Sequence, residues 1–160
     1  MGSGSRVNFA REAAKRGIQI YSLSSAFSDK YYRDLLKESW KEDKKLKEKS
    51  DKLFIAGLAQ ELPFKSNIFD SVLSSWAIPM YLEKNRKEYE TSFREIARVL
   101  KPGGKAYLAP IWEGWISPEF FHEIKEAFKE EGIADIDVQE VKDKTKIDKY
   151  KIVLTKFLPM

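Results

Sequence analysis

The chain has 160 residues, 42% hydrophobic and 13% aromatic, enough for one domain with its own core and too apolar for a disordered segment. Its 29 Lys and Arg against 25 Asp and Glu leave a formal charge of +4 and an isoelectric point near 9.1, a mixture that solubilises a surface instead of marking a nucleic-acid groove. Without cysteine it has no disulfides or thiolate metal sites, and without a bilayer-length apolar run or a signal-like start it is expected to be soluble and cytoplasmic.

In chain order, Ala10, Ala13, Ala14 and Gly17 share one face of a first helix, and Gly17 is placed to end it. Ile18 to Leu23 reads as a strand. A second helix, capped by Ser28 or Asp29, carries Tyr32, Leu35, Leu36 and Trp40. Lys41 to Lys52 interleaves charges of both signs and reads as a solvated helix end or loop. Leu53 to Gly57 is the next strand, Leu62-Pro63-Phe64 a turn region, and Ile68 to Trp76 a further strand.

Phe93, Ile96, Ala97 and Leu100 recur at i, i+3, i+4 and i+7 on an amphipathic helix. Pro102 cannot continue that helix, and Gly103 and Gly104 tolerate the positive φ that turns the chain into a buried strand over Lys105 to Pro110. Ser117 and Pro118 open a helix bearing Phe120, Phe121, Ile124, Ala127 and Phe128, which Glu131-Gly132 ends. Ala134, Ile136 and Val138 alternate in one strand and Tyr150, Ile152 and Leu154 in another, joined by the polar stretch Asp143 to Asp148. The pattern predicts an α/β fold, a single domain over residues 1–160 with a mainly parallel sheet and a closing hairpin. Ligands of such sheets bind beyond the carboxyl ends of the strands, where strand order reverses.

Three segments stand in order: A-Q-E-L-P-F at Ala59 to Phe64, I-F-D-S-V-L-S-S-W at Ile68 to Trp76, and F-R-E-I-A-R-V-L-K-P-G-G at Phe93 to Gly104. Together they resemble the last two-thirds of a class I S-adenosylmethionine-dependent methyltransferase of the type 11 kind, and the likeness runs over about residues 2 to 157. The resemblance implies a Rossmann-like, mainly parallel sheet with helices on both faces and a C-terminal antiparallel hairpin whose final strand is inserted antiparallel. It also implies S-adenosylmethionine as cofactor, held by a D-x-G-x-G-x-G loop whose last two glycines match Gly2 and Gly4. The first strand, the acid and the first glycine are then absent, so an N-terminally truncated domain is expected. A flexible leader or an expression scar is the other reading of M-G-S-G-S.

The resemblance also places the cofactor contacts. Ser24 stands where the family has a ribose-binding carboxylate, and Leu58-Ala59 where it has Asp-Ala, the Asp accepting from the adenine amino group. Ser75 and Trp76 end the strand at which cofactor and substrate meet. Trp76 reads as packing on adenine or facing the sulfonium, or as an aromatic that closes the sheet. Serine offers a neutral contact and leucine none where a carboxylate accepts two strong hydrogen bonds. Losing a charge-assisted bond costs about 1.5–3 kcal/mol, roughly tenfold or more in affinity, so weak or absent binding of S-adenosylmethionine is expected.

Tyr81, Trp112 and Trp115, with Met80, read as a substrate pocket or lid in which Glu113 would orient a nucleophile, or else as aromatics covering a helix. His122 beside Phe121 and Glu123 reads as a helix-surface residue, and Asp70 as a structural acceptor at the wrong end of the sheet. No triad, metal-ligand spacing or catalytic residue is identified; a sulfonium cofactor carries the difficult chemistry and leaves alignment to the protein.

The expected function is methyl transfer to a small-molecule acceptor, with a non-catalytic pseudo-methyltransferase serving as a binding or assembly module as the alternative. A binder of another nucleotide in the same crevice is the third reading. The expected partner is a small-molecule substrate, without nucleic acid or membrane, and a gap at the central strand favours a homodimer through strand exchange.

Overall fold

In the computed structural model, which describes residues 13, 16–23, 30, 54–75, 77, 78, 82, 85–112, 118–141 and 149–159, the strands fall into two sheets. They belong to two compact units, Met1–Leu58 and Ala59–Met160.

In the first unit, β1 (Ser22–Leu23) pairs in parallel with β2 (Phe54–Ile55), Leu23 level with Ile55. Both are shorter than their apolar runs predict. The reason at β1 is local: Ala13 is buried, and its carbonyl accepts from the amides of Arg16 and Ile18 across Gly17, which has a positive φ of 73°. With its amide given to Ala13, Ile18 belongs to this turn and not to the strand. The helix of Tyr32 to Trp40 and the charged stretch after it lie outside the described residues.

The second unit holds β3 (Phe69–Ser75), β4 (Leu100–Trp112), β5 (Ala134–Val141) and β6 (Lys149–Lys156) in the order β3-β4-β6-β5. β3 and β4 are parallel, and β6 is antiparallel to both of its neighbours. The last strand is therefore inserted antiparallel between β4 and β5, as expected. Register aligns Val72, Ala106, Leu154 and Ile136 in one row, and Ser74, Leu108, Ile152 and Val138 in the next.

Helices α1 (Arg86–Val99) and α2 (Pro118–Glu130) cover this face. Phe93, Ile96 and Val99 from α1 and Ile124 and Phe128 from α2 are fully buried. Each such side chain contributes about 1.5–3 kcal/mol on leaving water. The two helices meet through perpendicular Phe93 and Phe128 rings 6.5 Å apart, and Arg94 lies 5.1 Å over the Phe128 ring while both its terminal nitrogens bond Glu131. Neither helix covers the other sheet face, where Leu73 and Tyr107 stand side by side, half-exposed. Among the described residues no helix is long and apolar enough to cross a membrane.

A further element departs from its predicted form. The Pro-Gly-Gly stretch does not separate helix from strand. α1 stops at Val99, and Leu100, extended at φ −69° and ψ 141°, already pairs with Phe69. β4 then advances from Leu100 to Lys105 while β3 moves only from Phe69 to Ser71, so Pro102-Gly103-Gly104 is a bulge inside the ladder. A Cβ on Gly104 would lie 2.8 Å from the Lys101 carbonyl oxygen and 3.1 Å from that of Asp70.

The chain ahead of β3 has no ladder of its own and is held from α1. Arg98 donates to the carbonyls of Phe64 (2.7 Å) and Leu62 (2.9 Å), and Glu95 accepts from the Leu62 amide (2.8 Å). Arg98 and Glu95 also pair with each other at 2.7 Å, partly shielded from water. Further on, the amides of Asn67 and Ile68 donate to the carbonyls of Arg98 and Val99. Lys156 completes the knot from β6, donating to Asn67 Oδ1 and the Leu100 carbonyl at the carboxyl end of α1, where a cation is favoured.

Gly104→Ala should lower unfolding free energy by about 1–3 kcal/mol, because backbone rather than a flexible side chain meets the added methyl. Urea titration checks it; an unchanged midpoint would contradict the bulge geometry. The Arg98 guanidinium first, and then the Leu62 amide, hold the Glu95 carboxyl below its usual range despite burial. A depressed carboxylate stabilises above its unfolded pKa of about 4.3 and loses that contribution as pH falls through the lower folded value. The wild type should therefore lose more stability than Glu95→Gln on acidification below about pH 4.3, and parallel losses would contradict the clamp.

Candidate functional site

Parallel β3 and β4 end together, with Ser75 level with Ala109. β4 runs on to Trp112, where Ile111 pairs with Tyr150 and Trp112 with Lys149 at the start of β6. The carboxyl ends of two parallel strands thus form one rim, the edge at which open α/β sheets bind ligands.

Pleating decides what faces it. Val72 and Ser74 turn inward and Ser75 outward, so Ser75 is exposed at the last position of β3. Beyond it Ala77, Ile78 and Leu82 are all buried, and the Ile78 amide donates to Ser74 Oγ at 2.9 Å. α1 opens from this end. Its N-cap Asn85 accepts from the Lys87 amide at 3.0 Å, and Glu88 lies in the first turn, where an anion is favoured.

α2 begins at the same end, after β4. The first turns of the two helices meet through the Tyr89 and Phe120 rings, 5.2 Å apart, and through Arg86, which pairs with Glu90 and with Glu123. Burial pushes the Tyr89 hydroxyl pKa up. The helix starts thus stand as a braced pair.

Of the cofactor-binding expectations, Ser75 is at the rim. Leu58 and Ala59 follow β2, Leu58 56% exposed and Ala59 half-buried at a turn. Trp112 ends β4, its backbone on the rim beyond Ala109. Gly2, Gly4, Ser24, Trp76, Tyr81 and Trp115 lie outside the described residues, as do Met80 and Glu113. Asp70 is at the amino end of β3, exposed, and accepts from Lys101 at 2.7 Å, which lowers its carboxyl pKa. His122 is exposed on α2. Both fit their structural readings.

A groove of about 580 Å³ lies at the opposite end of the sheet, between Asn67, Arg98, Pro102, Ile133, Lys156 and Phe157. Its Arg98, Asn67 and Lys156 already serve the knot around α1, so it belongs to the scaffold. Sequence reasoning missed Ser74 at the rim. The available signal was its place among apolar residues on the inward side of an alternating strand.

A family model described as a methyltransferase domain matches residues 1–108. A demethylmenaquinone methyltransferase of Streptomyces griseus is 36% identical over 63 residues, which is 37% of this chain and 25% of that protein, so the match spans a quarter of the relative's length. Among solved structures, an S-adenosylmethionine-dependent methyltransferase of Methanosarcina mazei superposes with a TM-score of 0.63 at 17% identity, over 98% of this chain and 90% of that one. A chain of the complex between the Haloferax volcanii Trm112 methyltransferase activator and a methyltransferase gives 0.64 at 19% identity, over 98% and 80%. Identities this low speak for the fold alone; the family model speaks for descent. This chain belongs to the methyltransferase-domain family, the class I S-adenosylmethionine-dependent methyltransferases.

Proposed function

We propose that the 160 residues act as one methyltransferase-like domain that moves a methyl group from S-adenosylmethionine to a small-molecule acceptor and holds the cofactor weakly. The observation that carries this reading is the shared rim of β3 and β4, with Ser75 exposed on it and the starts of α1 and α2 beside the strand ends.

The residues present suit part of the cofactor. Exposed Leu58 offers apolar surface to a purine, and exposed Ser75 a hydroxyl. Leu58 and Ser24 both stand at positions where the family uses a carboxylate, and neither carries a charge. Two neutral substitutions, each lacking a charge-assisted bond of about 1.5–3 kcal/mol, support low affinity. When bound, the cofactor supplies an electrophilic methyl group on sulfur. The chain's part is alignment: Gly2 and Gly4 beside the methionine portion, Trp76 beside adenine or the sulfonium, and Tyr81, Trp112 and Trp115 around the acceptor.

A small acceptor is supported by the mixed surface charge, and by the Streptomyces griseus relative, which is named for demethylmenaquinone. The second reading, a non-catalytic binding or assembly module, is favoured by Leu58, whose side chain can accept nothing from an adenine amine. The assembly we propose is a homodimer through strand exchange. Light scattering should return the mass of two chains; the mass of one contradicts it.

Calorimetry with S-adenosylhomocysteine separates the two functional readings. Weak binding that Leu58→Asp tightens about tenfold is expected. Submicromolar affinity of the unaltered chain would contradict the weak-cofactor reading, and no binding by either form would favour the non-catalytic module.

A further inference from the structure

We infer that Ser74 is a positioning residue for the rim, its hydroxyl setting the turn on which Ser75 leaves β3. Ser74 is 2% exposed and shares a cross-strand row with Leu108 and Ile152, both fully buried. An alanine there would serve the helix-covered core as well, and burying a hydroxyl is unfavourable unless it is hydrogen-bonded. The partner is the Ile78 amide at 2.9 Å, which belongs to a residue itself only 4% exposed. That amide lies beyond the end of β3 and outside its ladder, so the hydroxyl satisfies a buried donor where the sheet supplies no carbonyl.

The consequence is geometric. Ser74 is held by the sheet on one side, through its neighbours Leu73 and Ser75, which are level with Tyr107 and Ala109. On the other side it holds Ile78, and Ala77, Ile78 and Leu82 are all buried. The exposed Ser75 thus leaves the strand along one path. Loss of the hydroxyl would free the turn without opening the core, because only one oxygen is removed. The functional half of this inference rests on the cofactor reading above; the hydrogen bond does not.

The test uses the full 160-residue chain with Ser74→Ala and Ser74→Thr, reading amide hydrogen exchange at Ile78 and calorimetric affinity for S-adenosylhomocysteine. In Ser74→Ala, Ile78 should exchange about tenfold faster and affinity should fall by a similar factor, as loss of one buried hydrogen bond requires. Ser74→Thr keeps the hydroxyl and should restore both to within about threefold, a rescue that lost packing alone would not give. Unchanged Ile78 exchange in Ser74→Ala overturns the hydrogen-bonded turn itself. Faster Ile78 exchange with unchanged affinity overturns the positioning role and leaves the cofactor reading intact. If Ile78 responds as expected but no variant, nor the unaltered chain, binds the probe, the cofactor reading falls and the positioning role falls with it.

Discussion

A partly buried ion pair on the last turns of α1 grips a stretch of chain that has no regular structure of its own. Glu95 and Arg98 face each other and the backbone from Leu62 to Phe64, so the pair's charges are answered by peptide groups as well as by each other. An ion pair in such a place helps only when its remaining donors and acceptors are satisfied. Here Arg98 reaches two carbonyls and Glu95 one amide. Leu62 is drawn into the core beside them, and Phe64 sets its ring edge-on against Phe69, 4.9 Å away. Charge and apolar contact therefore act on the same few residues.

The segment from Asn67 into β3 inherits that anchorage. The Asn67 and Ile68 amides bond the end of α1, Phe69 pairs with Leu100, and β3 enters the sheet beside β4. Lys156 closes the same corner from β6, and burial lowers its ammonium pKa. The amino end of the sheet is thus tied by side chains from α1 and β6. The carboxyl end, where Ser75 and Ala109 reach the rim together, has the starts of α1 and α2 beside it. That division suits a fold in which the scaffold is common and the chemistry resides in what is mounted at one edge.

Much of this was legible from the residues. The face of Phe93, Ile96 and Ala97 announced α1, and alternation announced β5 and β6, because both periodicities are set by local geometry. The two motifs that make the clamp, L-P-F and E-x-x-R, were visible as words, but not the contact between them, since hydrogen bonds across more than thirty residues leave no periodic trace. Leu100 looked helical because hydrophobic spacing does not register where a backbone turns extended. The Pro-Gly-Gly bulge was hidden because it is decided by the register of β3, not by its own composition. At the rim, Ser75 was expected at a strand end, and it is the last residue of β3. The role of Ser74 was not, because an inward hydroxyl declares its partner only once the turn is folded.

Amide hydrogen exchange at Leu62 under native conditions tests the clamp most directly. Leu62 sits outside every strand, yet its N–H is held by Glu95 at 2.8 Å beneath α1. Exchange as slow as that of Ala106 and Leu108 in β4, accelerated when Glu95 is replaced by alanine, is the outcome expected of a clamped segment. Exchange at the rate of an open turn in the unaltered chain would contradict it.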